Sequence, residues 1–222
     1  MAESYIKRIL NAQVYDVARE TPLDAAPLLS ARLGNQAFLK REDLQPVFSF
    51  KCRGAYNKMV HLDEAAWAGG VVAASAGNHA QGVALAASKL GIKATIVMPV
   101  TTPLIKVDAV KALGARVVMH GDSFDEAAVR ARALTESEGF TFIHPFDDPD
   151  VIAGQGTVAV ELVRQAQKPL DYVFVCCGGG GLLAGMAAYL RYVWPQTRII
   201  GCLLYTSPSP RDSRRSRMPS SA

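Results

Sequence analysis

The sequence predicts an α/β fold built on an open parallel sheet. Three observations predict it: short β-branched runs alternate with longer helical patterns from Gly70 onward, Gly91, Gly114 and Gly139 each stand between a helical pattern and the next run, and half of the 222 residues are hydrophobic. The alternation marks βαβ units, whose crossovers leave neighbouring strands parallel. A glycine just past the last helical turn takes a left-handed cap without steric strain, so the three glycines read as a repeated helix-to-strand turn.

Taken in order, the first ten residues (MAESYIKRIL) scatter charge and lack the apolar core of a signal peptide. Pro46 and Ser49 mark a helix start that places Lys51 in a first turn. The runs at 71–74, 94–98, 116–120, 140–143, 172–176 and 198–201 are the predicted strands. The best-defined helix follows Gly121-Asp122-Ser123. Phe124, Ala127, Ala131 and Leu134 recur on one face, Arg130, Arg132 and Glu136 fall on the other, Ser123 and Glu126 form an S-x-x-E capping box, and Gly139 supplies the stop. A further helix opens after Ser75 and runs to Leu90, and another covers 182–193 and ends before Pro195.

Composition excludes several classes. The formal net charge is +4, but Arg211, Arg214, Arg215 and Arg217 against Asp212 contribute +3 of it, leaving +1 on residues 1–201. A near-neutral body offers no basic stripe for neutralising phosphates, so no nucleic-acid partner is expected. No apolar run reaches the roughly 18 residues that span a bilayer, and a cytoplasmic protein without a membrane partner is expected. The four cysteines (Cys52, Cys176, Cys177, Cys202) lack CxxC spacing and read as reduced, buried thiols, and none of His61, His79, His120 and His144 has metal-ligand spacing with another, so no metal is expected. Lys40-Arg41-Glu42-Asp43 reads as a solvated, mutually paired cluster.

Ligands of open α/β sheets bind beyond the carboxyl ends of strands, which directs attention to three loops. Gly178-Gly179-Gly180-Gly181 follows an apolar strand and opens a helix. Successive backbone N–H groups there can turn toward one point, and the helix N-terminus adds partial positive charge, which makes a phosphate cradle. It is not a P-loop, since no Gly-Lys-Ser/Thr follows, but Gly179, Gly181 and Ala184 also satisfy G-x-G-x-x-A, leaving a Rossmann-like nucleotide-binding module open. That alternative needs an acidic residue about 20 positions on, where the sequence has Ile200-Gly201-Cys202. The second loop, Ser75-Ala76-Gly77-Asn78-His79-Ala80-Gln81-Gly82, presents small residues and free N–H groups suited to a carboxylate, with His79 readable as a base or as a structural histidine. The third, Ser49-Phe50-Lys51-Cys52-Arg53-Gly54-Ala55-Tyr56, sets Lys51 in a helix first turn with Arg53 close by, and both the dipole and that charge favour the neutral amine that forms Schiff bases; a solvated lysine is the other reading.

A Schiff-base lysine, a phosphate cradle and a carboxylate-sized pocket on one sheet fit pyridoxal 5′-phosphate acting on a small amino-acid substrate. SFKCRGAY (49–56), SAGNHAQG (75–82), VIAGQGT (151–157) and GGGGL (178–182), in this order, resemble the fold-type II pyridoxal-phosphate enzymes, and most closely the biosynthetic threonine ammonia-lyases (threonine dehydratases). The resemblance runs from about Tyr5 to Gly201, and Cys52 departs from the family's usual aliphatic residue. It implies the tryptophan synthase β-like architecture, with a small lobe at 55–146 inserted in a large lobe built from 1–54 and 147–201. It also implies residue roles. Lys51 holds the cofactor and removes the α-proton, Phe50 packs near the ring, Asn78 bonds the 3′ oxygen, Gly178, Gly179, Gly180, Gly181 and Leu182 bind the phosphate, and Ser75 with Gly77, Asn78 and His79 holds the substrate carboxylate. The implied reaction is elimination from L-threonine to 2-oxobutanoate and ammonia, the first step of isoleucine biosynthesis, with L-serine giving pyruvate; serine racemase or a catabolic serine/threonine dehydratase is the alternative. The implied parent enzyme is a homo-oligomer. Residues 202–212 (CLLYTSPSPRD) resemble a translated transposase sequencing adapter, so 202–222 are expected to be a non-native, disordered tail. With native sequence ending at Gly201 the large lobe would be C-terminally truncated and this chain inactive.

Overall fold

A computed structural model describes residues 2–203, and the predicted strand and helix rhythm is present in it. The N-terminal part contains α1 (Ala2–Leu10), β1 (Leu23–Ala25), α2 (Pro27–Leu33), β2 (Phe38–Lys40) and α3 (Lys51–Val60). Then follow α4 (Glu64–Gly69), β3 (Val71–Ala74), α5 (Asn78–Leu90), β4 (Ala94–Met98), α6 (Leu104–Ala112), β5 (Arg116–Met119), α7 (Phe124–Glu138) and β6 (Thr141–Phe142). The last stretch is α8 (Pro149–Gln165), β7 (Tyr172–Cys177), α9 (Gly181–Val193) and β8 (Arg198–Leu203).

The strands β5-β4-β3-β6 form a four-stranded parallel sheet, β7 and β8 form a separate parallel pair, and β1 with β2 form an antiparallel pair. Every residue of β3 and β4 is buried, as expected of parallel strands covered on both faces. Helix α7 bears out its capping box. Ser123 Oγ accepts from the Glu126 N–H at 3.3 Å, while the Glu126 carboxylate reaches one residue further back than expected and accepts from the Asp122 N–H at 2.8 Å. Gly139 ends the helix at φ +72°, a left-handed position that costs glycine little. Ala127, Ala131 and Leu134 form the buried face packed on Val72, Ala74 and Val97, but Phe124, the first residue of the helix, is exposed and does not join that cluster. Strand β8 extends two residues past its expected end and pairs Cys202 and Leu203 with Cys176 and Cys177; the rest of the expected tail, 204–222, lies outside the described residues. Among the described residues no helix is long and apolar enough to cross a membrane.

Buried residues form three clusters, one on each face of the four-stranded sheet and one against β7, and α8 packs on both α3 and α9. Around the four-stranded sheet, Val71, Ile96, Met98 and Val110 pack with Val14, Val47 and Cys52 from the N-terminal segment. Cys52 thus takes the apolar environment expected of an aliphatic residue, and burial pushes its thiol up to about 12. Against β7, Val158 and Leu162 of α8 meet Leu182, Met186 and Leu190 of α9. Helix α8 approaches α3 and α9 so closely that only glycine fits at the crossings. A Cβ on Gly154 would lie 2.7 Å from the Arg53 carbonyl oxygen and from the Gly54 Cα, and one on Gly185 would meet the Ile152 oxygen and, at 2.7 Å, the Gly156 nitrogen. These crossings bring the first turn of α3 and the glycine turn before α9 toward the same space. Gly154→Ala should therefore lower stability by about 1–3 kcal/mol, read from the urea midpoint, since both neighbours are backbone atoms that cannot yield locally; an unchanged midpoint would contradict the close crossing.

Candidate active site

Lys51 is the first residue of α3, next to the N-cap Phe50, and its backbone N–H donates to Ser49 Oγ at 3.3 Å. A Cβ on Gly82 would lie 3.0 Å from the Lys51 carbonyl carbon and oxygen, so glycine at this point of α5 lets the two helices meet and sets Asn78 near the lysine. One cavity of about 240 Å³ is bounded by Phe50, Lys51 and Asn78 on one side and by the turn from Gly178 to Leu182 on the other. Ser49, Phe146, Cys176 and Cys177 complete its wall.

The Lys51 ammonium donates to the Pro145 carbonyl oxygen at 2.6 Å and stands 5.5 Å from the Phe50 ring centroid. Burial pushes this amine down from the ordinary lysine value to about 8, with the nearby Cys176 thiol acting weakly the other way. Arg53 has no part in that shift. Its guanidinium is fully buried and turned away, donating to Glu161 at 2.6 Å, Thr157 at 3.1 Å, the Arg19 carbonyl at 3.1 Å and both oxygens of Glu42 at 2.8 Å. Glu161 also accepts from Lys40 at 2.6 Å and from the Tyr15 hydroxyl at 2.9 Å. Burial opposes ionisation of Glu161, yet the bonds from Arg53 and Lys40 hold its carboxyl below the usual range. The expectation of a solvated Lys40–Asp43 cluster is thus corrected. Lys40 and Glu42 belong to a buried network, and Arg41 with Asp43 forms the exposed pair.

The glycine turn is two-sided. Cβ atoms at Gly179 and Gly181 would collide with Phe146, whose carbonyl oxygen lies 2.7 Å from the Gly181 position, whereas at Gly178 and Gly180 nothing stands within 4 Å. Gly180 has φ +93° and caps α9, which leaves the N–H groups of the first turn of α9 without intrahelical partners beside the cavity. Phe146 is held by its own turn, in which His144 Nδ1 accepts from the Phe146 and Asp147 N–H groups at 3.3 and 2.7 Å.

Three expected residues do not line the cavity. Ser75 turns its hydroxyl to the Gly77 N–H at 3.2 Å, Gly77 caps α5, and His79 is buried, with Nε2 facing the Ile143 carbonyl oxygen at 2.9 Å. Burial, then the charge of Lys51, depresses His79 to about 3, so the side chain is neutral and structural and the reading as a base is set aside. The cysteines also depart from expectation: Cys52 is buried, but Cys176 and Cys202 are exposed and Cys177 is half-buried. Reading the loops after strands missed Phe146 and His144, although they follow the strand at 140–143 on the same sheet edge.

The chain matches the family described as "Pyridoxal-phosphate dependent enzyme" over residues 14–221. It belongs to this family. The chain is 62% identical over 200 residues to a chloroplastic biosynthetic threonine dehydratase of Arabidopsis thaliana, covering 90% of this chain and 34% of that protein. It is 58% identical to a biosynthetic L-threonine dehydratase of Burkholderia multivorans, covering 90% of this chain and 40% of that protein. The fold superposes on the processed form of threonine deaminase isoform 2 from Solanum lycopersicum with a TM-score of 0.89 at 53% identity, over 92% of this chain and 56% of that one. It superposes on maize serine racemase with a TM-score of 0.84 at 34% identity, over 90% and 60%. The chain thus spans between a third and two-fifths of these curated dehydratases.

Two outcomes test the buried ion network and the desolvated amine. Arg53→Leu leaves Glu161 and Glu42 without their main partner and should cost about 3–5 kcal/mol in chemical denaturation, whereas Arg41→Ala at the exposed pair should barely move the midpoint. Reductive methylation of Lys51, followed by mass spectrometry as pH is raised, should show a midpoint near 8, because only the neutral amine reacts; a midpoint near the ordinary 10.5 would show that the amine is not desolvated.

Proposed function

We propose that this chain carries the cofactor-holding region of a pyridoxal-phosphate dependent threonine dehydratase, which converts L-threonine to 2-oxobutanoate and ammonia and acts also on L-serine. The observation that carries the reading is the Lys51 amine, lowered to about 8 by burial and facing an anion-binding glycine turn across one cavity with Phe50 and Asn78. The residues fit the cofactor. A neutral lysine amine can bond an aldehyde, and the cavity side of Gly178 and Gly180 is open where any side chain would intrude. A phosphate dianion also suits the N–H groups that begin α9. When bound, pyridoxal phosphate supplies the electron sink that stabilises the pair left at Cα after proton removal, so that a β-hydroxyl can depart.

The other roles belong to the chain's own residues. Lys51 takes the Cα proton as a neutral amine, and its bond to Pro145 keeps the amine at the cavity wall rather than in solvent. Asn78 donates to the 3′ oxygen, Phe50 packs against the ring, and the N–H groups of residues 178–182 bind phosphate. Ser75, Gly77 and the backbone of Asn78 and His79 form the adjoining turn for the substrate carboxylate. This assignment uses the N–H groups of the first turn of α5, which no intrahelical acceptor satisfies. The same reading divides the chain into a small lobe at 55–146 and large-lobe parts at 1–54 and 147–201, with a cytoplasmic homo-oligomer as the working form; the Arabidopsis relative is named chloroplastic.

Pyridoxal phosphate followed by borohydride should leave one reduced adduct on Lys51, and Lys51→Ala should carry none at that position. A wild-type chain without the adduct would overturn the proposal. In the protein carrying this sequence, L-threonine should yield 2-oxobutanoate and L-serine pyruvate, while D-serine as the main product from L-serine would favour the racemase reading.

A further inference from the structure

The residues 143–147 connect β6 to α8 and touch both the lysine and the glycine turn. Pro145 accepts from the Lys51 ammonium at 2.6 Å, and Phe146 fills the space beside Gly179 and Gly181 and lines the cavity. The segment has few bonds of its own. Ile143 N–H enters the sheet by donating to the Val72 oxygen at 2.9 Å, and His144 Nδ1 closes the local turn. The remaining tether comes from α5, where His79 Nε2 lies 2.9 Å from the Ile143 carbonyl oxygen. A carbonyl can only accept, so Nε2 carries the proton and Nδ1 is a bare lone pair. That Nδ1 is buried and has no hydrogen-bond partner among the described residues, which leave the ring held through Nε2. Burying an imidazole with one nitrogen unsatisfied opposes folding, and an apolar side chain of similar size would avoid the penalty.

We propose that His79 is a positioning residue: its Nε2–H bond to the Ile143 carbonyl fixes the segment 143–147, and through Pro145 and Phe146 it sets the place of the Lys51 amine and the closed side of the glycine turn. The His79 side chain is not among the residues that line the cavity, and its hydrogen bond goes to Ile143. The role serves the same amine as the proposed dehydratase reaction and rests on that reading for its chemical consequence, while the tether itself is a property of the unmodified chain.

The test exploits reach. A glutamine amide nitrogen sits close to the position of histidine Nε2, whereas an asparagine amide is one bond short, and leucine fills space with no donor. Hydrogen exchange is followed in the 222-residue chain for a peptide spanning 143–148, with one spanning β3 and β4 as the internal reference. His79→Asn and His79→Leu should exchange the 143–148 amides at least about fivefold faster relative to the reference, and His79→Gln should stay near wild type, as expected for loss and retention of one hydrogen bond. Borohydride-trapped pyridoxal phosphate on Lys51 should fall in the same two variants and be retained in His79→Gln. If His79→Asn unfolds, His79→Leu carries the comparison. Equal exchange in all variants, or Leu behaving like wild type while Gln does not, overturns the proposal. If exchange follows the predicted order but Lys51 takes no adduct even in the wild type, the tether stands and the dehydratase reading fails.

Discussion

The site depends on burying one charge, the guanidinium of Arg53. Taking it out of water is tolerable because each of its five N–H donors has an acceptor: two on Glu161 and Thr157, two on Glu42 and one on the Arg19 carbonyl. Lys40 and Tyr15 complete Glu161, so two cations face two carboxylates with little charge left over. The network draws its members from the segment before β1, from β2, the short turn after it, α3 and α8, and so fixes how the N-terminal segment lies against α3 and α8. On α3 a step of two residues turns about 200°. Holding Arg53 inward on one side of the helix therefore holds Lys51 on the other, toward the cavity. A lysine that must be desolvated without a carboxylate beside it needs its backbone held rigidly, and this network holds it.

The second constraint is steric and runs along α8. Gly54 against Gly154 and Gly156 against Gly185 let three helices cross with backbones nearly touching, and Gly82 repeats the device between α5 and α3. Small residues at crossings sacrifice side-chain burial locally. What they gain is convergence. The starts of α3, α5 and α9, three helix N-termini from separate parts of the chain, lie around one volume, whose local field is positive even though the body is close to neutral.

Much of this was legible in the sequence because it is local. Strand and helix alternation, the glycine stops at Gly91 and Gly139, the capping box at Ser123 and the glycine turn at 178–181 each follow from residues a few positions apart. Of the residues at the cavity, Lys51 and the turn 178–181 are legible from helix starts and a strand-to-helix loop, whereas Phe50, Asn78 and Leu182 come from the family resemblance. The errors over the charged residues and the cysteines share one cause. Glu161 lies 108 residues from Arg53 and 121 from Lys40, so no window could show that Lys40 and Glu42 turn inward, and proximity in sequence wrongly made Arg53 the agent acting on Lys51. The exposure of Cys176 and Cys202 likewise depends on how much of the sheet face next to β7 and β8 is covered, which periodicity does not report. The segment 143–147 was missed for a different reason: it contains no glycine run or lysine to mark it, and its importance lies in what its carbonyl groups accept.

The state of Lys51 follows from what surrounds it. The amine has a neutral carbonyl as its hydrogen-bond partner and an aromatic ring and a thiol nearby, while among the described residues no carboxylate lines the cavity. Desolvation is thus only weakly offset, and the neutral form is reached near physiological pH. Two carboxylates close to α3, Glu42 and Glu161, are engaged on its far side by Arg53 and Lys40. Sequestering Glu42 and Glu161 therefore does two things at once: it neutralises the buried guanidinium, and it keeps negative charge away from a cavity whose other wall is built from N–H groups. A carboxylate at that wall would both charge the lysine and repel an anion from the glycine turn. The ion network and the amine are thus two faces of a single partition of charge across one helix.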